Sequence, residues 1–245
     1  MASKRKARCA ILCLIGGVSG VFNWLVDFVF PKKCVGCGKY EVFLCNGCEK
    51  EMELAEQICP MCFRPNLGGW THEKCRKKLG VDGLMAIWSY KNGVVQEVVE
   101  NIKFGFNREL MGMTLEKVTF ESGIKFDFLV PMPLYYLREN WRGFNQAEEM
   151  AKVVAKRMNL PVSKLLKRDK NTKQQAMLTK AVERKKNMRG AFSLDKEVRL
   201  SGLSLKNKNV LLIDDVFTSG ESMKECTRVL KRAGVEKMWG LVMAR

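Results

Sequence analysis

Two adjacent carboxylates, Asp214 and Asp215, close the apolar run Val210–Ile213, and the small polar stretch from Phe217 to Ser222 follows them. Four apolar residues in a row suit a central parallel strand buried on both faces. That sets the acids at its carboxyl end, the edge where open α/β sheets bind ligands. Successive strand side chains point to opposite faces, so the two acids cannot make the same contact. One can accept hydrogen bonds from ligand hydroxyls while the other faces a metal, water or a neighbouring loop. Thr218, Ser219, Gly220 and Ser222 add hydroxyls and, at the start of the next helix, backbone N–H groups suited to a phosphate. The combination describes a sugar phosphate, with its diol at the acids and its phosphate in the loop. Two plainer readings compete: a simple strand end, or a capping box between Thr218 and Glu221. The capping box would satisfy the same N–H groups but leaves two adjacent acids unused. An apolar run ending in two acids also occurs in Walker B strands, yet no G-x-x-x-x-G-K-[ST] loop is present, which excludes that class of ATPase.

A second set of chemically competent residues lies far upstream. Of the ten cysteines, all but Cys226 fall in the first third of the chain, and eight positions form knuckles: Cys34 and Cys37, Cys45 and Cys48, Cys59 and Cys62, His72 and Cys75. Each knuckle presents two ligands from one tight turn, and zinc takes four thiolate or imidazole ligands tetrahedrally, so pairs of knuckles complete a site. The simplest pairing takes the first four residues as one site and the last four as the other, while an interleaved pairing satisfies the same count. Sites closed by four protein ligands are structural, with no position open to a substrate. Thiolate ligands need a reducing compartment, so the chain reads as cytosolic. Cys9, Cys13 and Cys226 fit no knuckle and read as small apolar residues.

The rest of the chain must position these groups. With 245 residues, 47% of them hydrophobic, it can bury a substantial core, and its formal net charge of +17 favours an anionic partner: nucleic acid, a phosphorylated small molecule or an acidic membrane surface. Residues 1–30 begin with Lys4, Arg5, Lys6 and Arg8 and continue as an apolar run interrupted by Asp27. They read as a leader helix that packs on the body or makes peripheral contact with anionic headgroups. Residues 31–80 form the double cysteine module. From 81 to 245 short apolar runs alternate with helical stripes, the pattern of an α/β fold with a mostly parallel sheet. Strands are expected at GLMAIWSY, FDFLVPMP, Val210–Ile213 and KMWGLVMA. Helices are expected over Val94–Lys103 and after RGFNQ, the latter with a core stripe of Ala147, Met150, Ala151, Val154, Ala155 and Met158. Another, after the acidic motif, carries Met223, Cys226, Val229, Leu230 and Ala233. The basic stretch from Arg168 to Phe192 reads as a loop or lid.

These pieces in this order resemble the ComF family: the knuckles, WSYKNGVVQEVVENIKF, LVPMPL, RGFNQAEEMA, the basic stretch with Thr172, Gln175, Arg184 and Asn187 before GAF, and LLIDDVFTSG. The resemblance runs from about Trp24 to the end. It implies a type I phosphoribosyltransferase-like domain behind a double zinc ribbon, and a link to DNA uptake during natural transformation. Carried onto this sequence, it assigns Asp214 and Asp215 to the ribose hydroxyls of phosphoribosyl pyrophosphate and Thr218, Ser219, Gly220 and Ser222 to its 5-phosphate. The segment after Pro131 becomes the pyrophosphate loop, with Arg142 and Asn145 close by. Arg138 and Arg142 suit phosphate oxygens through their planar guanidinium groups. Arg168, Lys173 and Arg184 add charge to the lid, and magnesium accompanies the pyrophosphate. The implied activity is phosphoribosyl transfer to an unidentified acceptor. The alternative is a non-catalytic factor that uses the fold to bind single-stranded DNA or other uptake proteins. Three features depart from the family's pattern: His72 where a cysteine is usual, the acid Glu221 beside the phosphate loop, and a longer apolar leader.

Overall fold

The computed structural model describes residues 31–105, 107–115, 123–172 and 187–245. The leader 1–30 and the lid residues Lys173, Gln175 and Arg184 lie outside them. Contacts divide the chain into two compact units, one built from residues 1–54 and 88–117, the other from 55–87 and 118–245.

The first unit carries Cys34, Cys37, Cys45 and Cys48. Its helices are α1 (Asn46–Glu51), which begins right after Cys45, and, beyond α2 (Glu73–Leu79) of the second unit, α3 (Gly93–Gly105) and α4 (Arg108–Leu115). Asparagines start the last two, because a short side-chain amide can accept the N–H groups that a helix leaves unpaired. Asn92 Oδ1 accepts from Val95 N–H at 3.1 Å and Asn107 Oδ1 from Leu110 N–H at 2.9 Å. Val95, Val98, Val99 and Ile102 recur at helical spacing and are buried, as are Leu110, Met111 and Leu115.

The second unit holds helix α2 (Glu73–Leu79) and the sheet. Its strands are β1 (Gly83–Trp88), β2 (Phe128–Pro131), β5 (Asn209–Val216) and β6 (Lys237–Ala244), in the order β1-β6-β5-β2. The central strand β5 runs parallel to both β2 and β6, and Val210, Leu211, Leu212 and Ile213 are fully buried, as two-faced burial demands. Pro131 pairs opposite Ile213 at the end of β2, where a missing N–H costs no ladder bond; Met132 N–H takes over by donating to Ile213 O at 2.8 Å.

Helix α5 (Tyr136–Arg142) follows the strand, then α6 (Gln146–Met158), whose Ala147, Met150, Ala151 and Val154 are buried while Ala155 and Met158 are half-buried. A separate antiparallel pair, β3 (Leu166–Arg168) with β4 (Phe192–Leu194), precedes the short helix α7 (Lys196–Leu200). Helix α8 (Glu221–Arg232) buries Met223, Cys226, Thr227 and Leu230.

Trp239 on β6 anchors the edge of this sheet. It is fully buried, meets Trp70 edge-on at 4.7 Å between ring centroids, and leaves no room at Gly83, where a Cβ would sit 2.5 Å from its ring. Gly83→Ala is therefore expected to destabilise the protein by about 1–3 kcal/mol through overpacking, read as a lower urea midpoint at unchanged slope.

Candidate ligand and zinc sites

The central strand delivers Asp214 and Asp215 to its carboxyl end, both half-buried. Each carboxylate uses one oxygen locally: Asp214 Oδ1 accepts from Asp215 N–H at 2.9 Å, and Asp215 Oδ1 accepts from Val216 N–H at 2.6 Å. The chain then turns through Phe217, whose N–H donates to Ala244 O at 2.9 Å and ties the loop to the end of β6. Thr218 is exposed and Ser219 half-buried, and Gly220 precedes the first residue of α8 with φ of 73°, a left-handed conformation that glycine adopts without strain. The residue at the cap, Gly220, has no side chain to offer, and among the described residues no hydrogen bond joins Thr218 to Glu221, so the capping box does not form there and the first N–H groups of α8 face the loop. Glu221 instead pairs with Lys224 one turn on, 2.6 Å from Oε1 to Nζ. That ion pair offsets the negative charge beside the loop.

Beyond β2, Asn145 is buried and both ends of its amide are engaged. Oδ1 accepts from Ala147 N–H at 3.0 Å to cap α6, and Nδ2 donates to Met132 O at 3.0 Å. Asn145 thus holds the start of the 132–135 loop against the helix. Arg142 ends α5, but its side chain lies outside the described residues.

Arg138 and Arg168 converge on one residue: Arg138 Nη2 donates to Thr172 O, and Arg168 Nη2 to Thr172 Oγ1. Arg168 stacks its guanidinium over Phe192, its partner on β4, at 5.3 Å. Burial pulls the pKa of Arg168 down, the charge of Arg138 adds to this, and Asp214 opposes both. Arg168 Nε is buried and has no hydrogen-bond partner among the described residues. Two guanidinium groups on one threonine, with a buried donor unused, make a good place for a multiply charged anion.

The cysteine ligands gather into two clusters, Cys34, Cys37, Cys45 and Cys48 in the first unit, and Cys59, Cys62, His72 and Cys75 in the second, each with its ligand atoms within 4.8 Å of one another. Cys37 and Cys45 sulfurs are 3.7 Å apart, and Cys62 Sγ is 3.3 Å from His72 Nδ1. Sulfurs bound at about 2.3 Å to a tetrahedral zinc lie about 3.8 Å apart, so the first cluster fits the ion. Burial opposes ionisation of Cys34 and Cys59, yet backbone N–H groups aimed at their sulfurs outweigh it and bring the thiols to about 6 and about 7. Burial and neighbouring sulfurs push Cys48 up, and Cys75 to about 11. Each cluster thus pairs a thiol whose ionisation is favoured by backbone N–H groups with one whose ionisation burial opposes and a dication would promote.

Residues 144–243 match the Phosphoribosyl transferase domain family and residues 25–78 the Double zinc ribbon domain family. Over 225 residues the chain is 34% identical to Competence protein F of Haemophilus influenzae, covering 86% of this chain and 90% of that one. The chain belongs to the ComF family. Among other ComF-like relatives, Competence protein ComFC of Bacillus subtilis is 26% identical over 242 residues, covering 89% and 92% of the two chains. The DNA utilization protein YhgH of Escherichia coli is 23% identical over 204 residues, covering 78% and 85%. Both cysteine clusters lie inside the double zinc ribbon match, which supports structural zinc, and the acidic strand end lies inside the transferase match.

Two features of this ComF chain have weak sequence signals. Lys224, which neutralises Glu221, stands at i+3, a spacing at which helix pairs meet. Tyr136 and Trp141 on α5, the helix that also carries Arg138, are 57% and 60% exposed. Their interleaving with basic residues in LYYLRENWRG is the only hint that they face outward.

Proposed function

We propose that the protein binds phosphoribosyl pyrophosphate with magnesium and transfers the phosphoribosyl group to an acceptor in the course of DNA uptake. The observation that carries this reading is the carboxylate pair at the end of the central parallel strand, followed by a short loop that enters a helix through the left-handed Gly220. Ribose hydroxyls would donate to Asp214 and Asp215, and the 5-phosphate would take the N–H and hydroxyl groups of Thr218, Ser219, Gly220 and Ser222. The pyrophosphate would lie against Arg138 and Arg168, with Arg142 and the lid at its outer side. Magnesium, when bound with the substrate, neutralises charge on the leaving oxygens. The C1–O bond breaks with its electron pair leaving on pyrophosphate, and the acceptor forms a new bond to C1 and gives up its proton. The α/β portion contains no histidine, so a carboxylate of the site or the acceptor itself manages that proton.

The names of the relatives, competence and DNA utilization proteins, support the cellular role. Reduced zinc thiolates support a cytoplasmic setting, with residues 1–30 contacting the inner face of the membrane. Among the described residues no helix is long and apolar enough to cross a membrane. Calorimetric titration of the zinc-replete protein with phosphoribosyl pyrophosphate and magnesium tests the ligand; an absence of heat would remove the transferase reading.

A second reading, single-stranded DNA binding, is favoured by the exposed aromatics of α5. A nucleic-acid strand needs stacking platforms near positive charge, and α5 carries the exposed rings of Tyr136 and Trp141 together with Arg138. Replacing Tyr136 and Trp141 together with alanine is expected to weaken oligonucleotide binding by about tenfold or more, since each stacked base contributes roughly 1–3 kcal/mol. Fluorescence anisotropy with a labelled single strand measures it. Equal affinity of the variant would leave the helix without this role.

A further inference from the structure

The first knuckles of the two ribbons share one backbone design. In the first, Gly38 N–H donates to Cys34 O at 2.9 Å and Cys34 N–H to Lys39 O at 2.7 Å; in the second, Phe63 N–H donates to Cys59 O at 3.0 Å and Cys59 N–H to Arg64 O at 2.9 Å. Each turn is flanked by an antiparallel bridge, Lys33 with Tyr40 and Ile58 with Pro65. The residue just after the second cysteine is left-handed in both, with φ of 78° at Gly38 and 61° at Phe63. Glycine is the natural occupant of that conformation, and a bulky aromatic there is strained. Strain of this kind persists where the side chain has work that glycine cannot perform.

The ring shows what that work is. Phe63 remains 47% exposed, yet one face meets Phe217 with centroids 5.9 Å apart and planes tilted by 42°. Phe217 is buried in the loop that follows Asp215, and a Cβ at Gly220 would lie 2.7 Å from Phe217 Cζ, so the tip of its ring is held close against Gly220. Phe217 thus touches both Phe63 of the knuckle and Gly220, the residue that precedes α8. We propose that Phe63 is a positioning residue that braces loop 217–220 from the second zinc ribbon, so that this ribbon tunes phosphate affinity without touching the ligand. The proposal rests on reading that loop as the phosphate loop.

The test uses the full-length, zinc-replete protein and two variants. Phe63→Gly installs the residue that the sister knuckle already carries, so its backbone is relieved while the ring is lost; Phe63→Tyr keeps the ring. Zinc content, hydrogen exchange of amides 217–222 without ligand, and calorimetry with phosphoribosyl pyrophosphate and magnesium are measured for each. Phe63→Gly is expected to keep both zinc ions, to exchange faster at 217–222 but not in α6, and to bind the ligand roughly three- to tenfold more weakly, the range expected for one aromatic pair. Phe63→Tyr is expected to match the wild type. Unchanged exchange at 217–222, or faster exchange with unchanged affinity, overturns the proposal. Loss of zinc from Phe63→Gly also overturns it, because Phe63 would then serve the ribbon's own folding. Faster exchange in Phe63→Gly while the wild type itself fails to bind would uphold the brace and remove the ligand reading instead.

Discussion

The protein with both Asp214 and Asp215 replaced by asparagine is expected to bind phosphoribosyl pyrophosphate at least about 100-fold more weakly while melting at the wild-type temperature, since two charge-assisted hydrogen bonds are worth roughly 1.5–3 kcal/mol each. Asparagine is the informative replacement because of what each Oδ1 already does. It accepts the next residue's N–H, from Asp215 in one case and Val216 in the other, and an amide oxygen can keep accepting. The strand end and its turn therefore survive, and what disappears is the anionic acceptor facing a ligand hydroxyl. The ligand's own phosphates are anionic, so removing two negative charges should on simple Coulomb grounds improve affinity. A large loss can then come only from direct contacts to hydroxyls or to the magnesium that accompanies the ligand. Calorimetry on the wild type and the double variant measures the difference, and equal affinities would place the ligand elsewhere.

The second large effect is expected at zinc. Cys59 is fully buried and its sulfur receives backbone N–H groups of Cys62, His72 and Met61. Cys59→Ala should carry one zinc per chain instead of two and lose the fold of the second ribbon. Structural zinc binds small ribbons with about 10–16 kcal/mol at neutral pH, which matches or exceeds the whole stability of a typical domain, about 5–15 kcal/mol. Atomic absorption counts the metal. The pairing of Trp70 with Trp239 gives a local optical signal in near-ultraviolet circular dichroism, expected to weaken when the ribbon is lost. Acid should act in the same direction in the intact protein. Protons compete with zinc for the same sulfurs, so zinc is held at neutral pH and released as the pH falls below the range in which Cys34 and Cys59 ionise. Full stability of Cys59→Ala with one zinc would show that the ribbon folds by packing alone.

What could be read from the sequence was whatever is written locally. KMWGLVMA forms β6 over the same eight residues, and the apolar run before the acids lies wholly inside β5, which continues through both acids to Val216. The helix after RGFNQ keeps its stripe because alternation at helical spacing records burial directly. The position of loop 217–220, between the end of β5 and the start of α8, was legible for the same reason, being contiguous. The paired guanidinium groups were not, because Arg138, Arg168 and Thr172 come from α5, β3 and the residue run after it. Only the folded chain brings them together. The β3–β4 pair was invisible because three residues are too few for a period and Arg168 finds Phe192 across 24 positions. Asn145 illustrates a different limit. Its place just ahead of α6 is local, but that its amide both caps α6 and holds Met132 depends on atoms that sequence does not order.

The division of contacts has a bearing on inheritance and engineering. Each unit is discontinuous: the chain passes from the first to the second at Leu54, returns at Trp88 and leaves again after Lys117. No single cut separates them, and a fragment spanning only the cysteines would carry one cysteine cluster from each unit while leaving behind α3, α4 and the sheet. Residues 31–80 moved as one cassette would therefore take a part of each unit away from the rest of it.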